Sequence, residues 1–345
     1  MNSPLASKFI KATVRRSRNM RPKILVHGGV GDWSTEESRR ALVEEQLSKS
    51  VEAGLESLSR GSAMDGVVEA VAYMEDSGVF NCGKGSYLTL DGRIEMDAGV
   101  MDGRSGKAGA VASVTNIPNP IRMARVVMEK TKHVLLAGTG AEKVADAFGL
   151  LGKVVPSPER EERYSKYLQD HLKKESWISA LGAKYSLRLT SDTVGAVAID
   201  SEGNVACAAS TGGTPFKLPG RVGDTPIPRA GFFALNASGA ACATGVGEAM
   251  VQYGLCGKIV DDFGCKAEPL PILKHHIRLI GNNYGKGLAG VIAINFHGMP
   301  TVFMDTLRIA AGFGAAGMAP RVGIFDRPGI SRFNRTLSNL YRRPL

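Results

Sequence analysis

The chain has 345 residues, 43% hydrophobic and 22% charged, enough for one large domain or two with a core that needs no metal or disulfide staple. Its aromatic content of 6% excludes a base-stacking platform for single-stranded nucleic acid. The net charge of +10 sits at the ends: residues 1–31 hold seven basic groups and no acidic one, residues 320–345 hold six arginines and one aspartate, and residues 32–319 carry −2, so charge argues for no nucleic-acid or membrane partner.

Residues 1–22 form a basic extension. Its first 19 residues lack the apolar centre of a secretory signal and read as a disordered tail, with Met20 as a possible start. Residues 24–27 are a short apolar run ending at Gly28-Gly29, a buried strand entering a turn. Residues 35–60 place Leu42, Val43, Leu47, Val51, Leu55 and Leu58 on one helical stripe. Ser62, with Asp65 three residues on, caps a second helix running to about Asp76. Residues 94–113 are strand-like and broken by glycine, and residues 120–129 and 140–148 read as helices.

From about Lys153 the chain turns polar, and residues 153–192 read as an exposed, partly helical or mobile linker. The pattern then switches. Residues 193–200, a turn at residues 201–204 and residues 205–210 form a hairpin. The segment 230–250 is apolar but built of small residues. Helices are expected at 247–253 and 269–280, and strands at 288–295 and 301–304. Strands joined by short turns, with helices in blocks, predict an α+β layered fold in place of a βαβ winding.

Several chemistries drop out. The five cysteines (Cys82, Cys207, Cys242, Cys256, Cys265) are odd in number with no CxxC spacing, so reduced buried thiols in a cytoplasmic protein are the expectation. No run of 18 apolar residues predicts a membrane span. The six histidines are scattered, and His275 and His276 are too close in sequence to share a helix face. No GxSxG or strand-linked GxGxxG is present, and Gly83-Lys84-Gly85-Ser86 lacks the frame of a phosphate loop.

What remains is threonines, glycines and one Arg/Asp pair. They lie in Asp192-Thr193-Val194-Gly195, Ser210-Thr211-Gly212-Gly213, Gly220-Arg221-Val222-Gly223-Asp224 and Thr244-Gly245-Val246-Gly247-Glu248. Taken singly, each threonine reads as a strand or turn residue and the Arg/Asp pair as a surface pair of little worth. A threonine hydroxyl needs an adjacent base. An N-terminal threonine supplies one in its own α-amine, with a pKa of about 7.7–8.0. That requires a cut before Thr193.

In that order, these motifs resemble the plant-type asparaginases and isoaspartyl peptidases of the N-terminal nucleophile hydrolases, with glycosylasparaginases as relatives. The resemblance spans residues 23–304. It includes Val26-His27-Gly28-Gly29, Phe80-Asn81-Cys82-Gly83-Lys84-Gly85, Asp97-Ala98-Gly99-Val100-Met101-Asp102-Gly103 and Lys107-Ala108-Gly109-Ala110-Val111-Ala112. It implies a four-layer αββα sandwich. It implies self-cleavage between Asp192 and Thr193 into an α chain of residues 1–192 and a β chain of residues 193–345, assembled as (αβ)₂. Asparagine or β-aspartyl dipeptides would be the small-molecule substrates, and no cofactor is needed for catalysis.

By the same resemblance Thr193 is nucleophile and base, Thr211 orients it, and Asn81 supports it from the α chain. Arg221 would grip the substrate carboxylate and Asp224 its ammonium, beside Gly247. Thr244 and Gly245 would form the oxyanion hole. A structural sodium would lie among backbone carbonyls of Met74, Glu75, Ser77, Phe80, Cys82 and Lys84. Asp192 stands where the plant-type enzymes often have glycine, as in glycosylasparaginases. Arg229 and Phe232-Phe233 also depart from the family pattern and bear on substrate choice. A glycosylasparaginase-like or threonine-aspartase-like activity is the alternative within the class. A basic-tailed binding protein on a degenerate enzyme fold is the alternative outside it.

Overall fold

The computed structural model describes residues 20–31, 33, 36–171, 192–264 and 268–342. In chain order, β1 (Lys23–Gly31) is followed by α1 (Glu37–Arg60), α2 (Ala63–Ser77), β2 (Met96–Asp102), β3 (Ala108–Val114), α3 (Pro120–Lys130), β4 (Leu135–Ala137), α4 (Gly138–Ala147) and α5 (Pro158–His171). Next come β5 (Val194–Ile199), β6 (Val205–Thr211), β7 (Phe232–Leu235), β8 (Gly239–Gly245), α6 (Gly247–Tyr253), α7 (Leu255–Phe263) and α8 (Pro269–Tyr284). The chain closes with β9 (Ala289–Asn295), β10 (Pro300–Met304), β11 (Arg308–Ala315), β12 (Arg321–Phe325) and α9 (Arg327–Arg342).

Period-two alternation builds the layers. On β1, Ile24 and Val26 face one core and Leu25 the other. On β5, Val194, Ala196 and Ala198 oppose Val197 and Ile199. On β6, Ala206 and Ala208 oppose Val205, Cys207 and Ala209. The first set packs under α1, α2 and α3 through Val43, Leu47, Val51, Val67, Val71 and Val127. The second faces a smaller sheet, where Ala240, Cys242, Ile292 and Ile294 point inward and Ala241, Ala243, Val291 and Ala293 point out to α7 and α8. The result is helices, eight-stranded sheet, four-stranded sheet, helices: the expected αββα sandwich. Strand order is β12-β11-β1-β5-β6-β2-β3-β4 in the large sheet and β10-β9-β8-β7 in the small one. The sheets approach closely because small residues face each other. A Cβ at Gly99 would lie 2.2 Å from the Phe232 ring.

Ser62 does cap α2, with a reciprocal capping box to Asp65. Three expectations change. Residues 94–113 are two strands, a β2–β3 hairpin turning at residues 103–107. One βαβ unit is present after all, since β3 and β4 are parallel across α3. The segment at 153–192 is not simply exposed linker: α5 docks, burying Arg160 and stacking Tyr167 on Phe216, while residues 172–191 lie outside the described part.

The basic C-terminal segment is likewise a docked helix. Ile330, Phe333 and Leu337 of α9 enter the inter-sheet core. Asn334 exchanges hydrogen bonds with the backbone of Val302, covering the β10 edge, while Arg332 and Arg335 face solvent. The basic residues 1–19 lie outside the described part. Among the described residues no helix is long and apolar enough to cross a membrane.

Candidate active site

A bulge in β1 between His27 and Gly29 turns Gly29 to φ +108°, and its backbone lies against the junction ahead of β5. A Cβ at Gly29 would fall 2.6 Å from Asp192 Cα and 2.8 Å from its carbonyl carbon. Glycine is required twice over here, for φ and for space. Thr193, 1% exposed, follows at the head of β5. Its hydroxyl donates to Thr211 Oγ1 at 3.3 Å and lies 3.5 Å from Thr225 Oγ1. Thr211 Oγ1 also accepts from Gly213 N at 3.0 Å, so its hydroxyl is oriented before it meets Thr193.

Asn81 acts on the turn after Thr211. Its Nδ2 donates to Gly213 O at 2.6 Å, its carbonyl accepts from Gly212 N, and its Oδ1 accepts from Tyr87 N. These contacts support Thr193 through the 211–213 backbone. Thr225 was not anticipated as a site residue; its one sequence signal was a hydroxyl next to Asp224.

Thr244 comes to the same end of the sandwich by a chain of contacts. It pairs with Gly290 on β9, and a Cβ at Gly290 would meet Val30, the neighbour of Gly29. Gly245 has φ +129°, and a Cβ there would lie 2.0 Å from Leu288 O. Only glycine can end β8 in this way.

Arg221, Asp224 and Gly247 also converge. A Cβ at Gly247 would lie 2.8 Å from Asp224 Oδ1 and 3.0 Å from Arg221 Nη2. Asp224 is buried, and its Oδ2 has no hydrogen-bond partner among the described residues. Burial pushes this carboxyl up to about 7, against the pull of Arg221. Arg221 is not a free fork: Nε and Nη2 donate to the two oxygens of Glu248, each at 2.9 Å. Glu248 therefore orients the guanidinium, a role its motif position did not reveal.

Behind Thr211 lies a second pair that sequence reasoning missed. Lys217 Nζ is 3.9 Å from Asp97 Oδ2, and both side chains are almost fully buried. Neither atom has a hydrogen-bond partner among the described residues. Burial lowers the Lys217 pKa and raises that of Asp97. Lys217 packs on Gly213, and Asp97 is the strand partner of Thr211, so the pair underlies the turn that holds Thr193.

The residues that depart from the family pattern, Arg229 and Phe232-Phe233, take part in packing. Phe232 is wholly buried between the sheets. Arg229 lies over the Phe233 ring and pairs with Asp261 of α7.

Two buried ionisable groups set a pH dependence. Burial drives His27 down to about 3, and it drives Glu75 up to about 8 against hydrogen bonds from Ser210 Oγ and Ile121 N. A histidine with a lowered folded pKa stabilises fully above its unfolded value of about 6.5, and that contribution fades as pH falls toward 3. A carboxyl with a raised folded pKa does the reverse: its contribution is full below about 4.5 and fades as pH rises toward 8. Glu75→Gln should therefore reduce the loss of stability between about pH 5 and about pH 8. Urea midpoints at the two pH values check this, and an unchanged gap would contradict it.

An αββα sandwich with a threonine heading a central strand, backed by a glycine turn and a second threonine, defines the class of N-terminal nucleophile hydrolases. The family model described as Asparaginase matches residues 20–324. The chain is 42% identical over 296 residues to a plant-type L-asparaginase of Pyrobaculum calidifontis, covering 85% of this chain and 97% of the relative. It is 40% identical to an isoaspartyl peptidase/L-asparaginase of Rattus norvegicus, over 83% and 84% of the two chains. With an isoaspartyl peptidase of Escherichia coli it shares 38% identity, over 89% and 97%. The chain belongs to the asparaginase family.

Proposed function

We propose that this chain cuts itself between Asp192 and Thr193 and then hydrolyses the β-amide of L-asparagine and of β-aspartyl dipeptides. The observation that carries the reading is the buried Thr193 hydroxyl, donating to Thr211 at the head of β5 while Gly29 backs the Asp192 carbonyl. In the uncut chain Thr193 Oγ1 attacks that carbonyl carbon. The C–N bond breaks, nitrogen takes a proton, and the acyl group moves to oxygen. Water then hydrolyses the ester, leaving a carboxyl at Asp192 and a free amine at Thr193.

That amine is the base for turnover. It takes the Oγ1 proton as oxygen attacks the substrate β-carbonyl, and returns it to the leaving nitrogen. Thr244 and Gly245 stabilise the tetrahedral oxyanion. Arg221, steadied by Glu248, takes the substrate α-carboxylate, and Asp224 takes its ammonium across the gap left by Gly247. Thr211 and Thr225 orient the nucleophile. Water hydrolyses the acyl-enzyme and releases aspartate. Burial favours a neutral Asp224 carboxyl until a cation arrives, so substrate binding and ionisation are coupled.

The names of the relatives, L-asparaginase and isoaspartyl peptidase, support the substrate class. Two chains of 192 and 153 residues on a denaturing gel, the second beginning Thr-Val-Gly, test the first step. Aspartate release from asparagine and from a β-aspartyl dipeptide tests the second, with a glycosyl-asparagine as comparison substrate. One uncut band and no aspartate would sink the reading.

The segment 74–84, the last turn of α2 and the loop after it, is proposed as a structural sodium site. Phe80 O accepts from Cys82 N and Cys82 O from Gly85 N, and each of these carbonyls keeps a second lone pair for a cation. An (αβ)₂ assembly is proposed as well. The four described cysteines are free and buried, which suits a reducing, cytoplasmic setting.

A further inference from the structure

Tyr87 stands beside the scissile junction. Its hydroxyl donates to Asp192 Oδ2 at 3.2 Å and accepts from Arg163 Nη1 at 3.3 Å. The guanidinium carbons of Arg160 and Arg163 lie 4.0 and 4.8 Å from the centre of its ring. Arg39 adds a third, weaker positive influence on the Asp192 carboxyl. Burial pushes the Asp192 carboxyl up to about 7, and Arg160, the Tyr87 hydroxyl, Arg163 and Arg39 pull against that rise; the proposed cleavage turns its residue into a chain end.

This cradle is anchored without Asp192. Arg160 Nε donates to Gly85 O at 2.9 Å, and Tyr164 donates to Leu90 O at 3.2 Å. Tyr167 stacks on Phe216 with ring centres 3.8 Å apart, and Arg39 pairs with Glu159 at 3.0 Å. Helix α5 therefore holds its arginines in place whether or not residue 192 stays.

We propose that in the cut enzyme Tyr87 and Arg163, backed by Arg160, form a subsite for the α-carboxylate of the leaving amino acid of a β-aspartyl dipeptide. This rests on the function proposed above. Direction supports it. The acyl half of the substrate is assigned to Arg221 and Asp224, whereas the leading charged neighbours of Asp192 are Arg160, Arg163 and Arg39. The two sets serve different substituents of the attacked carbonyl.

Reach supports it too. The Asp192 carboxyl carbon is separated from the scissile carbonyl carbon by the same number of bonds as the leaving residue's carboxylate carbon is from the substrate's β-carbonyl carbon. Asp192 lies on the acyl side of the junction; with the substrate's aspartyl half turned toward Arg221 and Asp224, the leaving nitrogen takes the place of Asp192 Cα, and its carboxylate then comes within reach of the same groups. Ammonia carries no carboxylate, and a glycosylamine carries none on its amine carbon. The cradle therefore distinguishes leaving groups by charge.

The test compares β-aspartyl-leucine with its C-terminal amide on the self-cleaved wild-type enzyme. The free carboxylate should be preferred by about tenfold in kcat/KM, mainly through KM, the size expected of one charge-assisted contact. Arg163→Met should bring that ratio close to unity, and Arg163→Lys should retain part of it. If Arg163→Met does not cut itself, the wild-type ratio and its fall in Tyr87→Phe decide the matter. Equal wild-type rates on the two dipeptides, or a ratio unchanged by Arg163→Met, would overturn the subsite while leaving the asparaginase reading intact. No turnover of asparagine or either dipeptide would overturn both.

Discussion

Thr193→Ala should leave a single uncut chain and abolish aspartate release. The hydroxyl that attacks the Asp192 carbonyl is gone, so no ester forms and no amine is freed. In the proposed mechanism the same oxygen is the nucleophile in turnover, and the amine its base. Loss of a nucleophile that also supplies the base should cost on the order of 10⁴-fold or more in kcat, and the remaining groups act only with it. The mutation removes a hydroxyl and a methyl from a site 1% exposed, so the fold should survive. Thr193→Ser, which keeps the hydroxyl and the future amine, should cut and turn over more slowly. Gel bands, N-terminal sequencing and aspartate release check the pair. Two bands from the alanine variant would refute the assignment.

The second large effect is on stability. Lys217→Met leaves the Asp97 carboxylate with its cation removed, in a place of zero exposure. Breaking a buried pair from one side costs about 3–5 kcal/mol, because the remaining charge stays desolvated. Replacing both partners by apolar side chains should recover much of that loss. Measuring urea unfolding in the uncut Thr193→Ala background keeps the comparison on one chain. A single-mutant cost below about 1 kcal/mol would mean that the pair adjusts its protonation or is solvated. The location gives the pair a second importance, since Asp97 is registered opposite Thr211 and Lys217 packs on Gly213.

The hairpin of β5 and β6 was legible because residues 194–199 and 205–209 are unbroken runs of small and apolar residues and a tight turn divides them. Helix α2 was legible from its cap. Strand β8 was harder: Gly-Ala-Ala-Cys-Ala-Thr-Gly carries little β-propensity, and its strand state comes from pairing with β9. Helix α7 and strands β11 and β12 were also missed, although α9 was present as an arginine-rich run. Its apolar residues at 330, 333 and 337 alternate with the charges at helical spacing.

The candidate site divides in the same way. Thr193, Thr211, Arg221, Asp224, Thr244 and Gly245 could be singled out because each lies in a short local motif. Thr225, Glu248 as a clamp, Lys217 with Asp97, and Tyr87 with Arg163 were not found, because each role is a pairing across the fold. Asp97 and Lys217 are 120 positions apart in the chain, and no local pattern links them.

By itself the sequence determined the layered α+β class, the order of the catalytic motifs and the confinement of the +10 charge to the ends. Those are properties of spacing and composition, and spacing survives without coordinates. Only the tertiary structure decided that the basic C-terminal run docks as a helix, that Arg221 is held by Glu248, and that Tyr87, flanked by Arg160 and Arg163, reaches the Asp192 carboxyl. The physical reason is burial. Side chains from distant segments acquire partners and shifted protonation only when the two sheets close and water leaves, and closure at that distance depends on glycines and alanines whose significance is invisible until their neighbours are known.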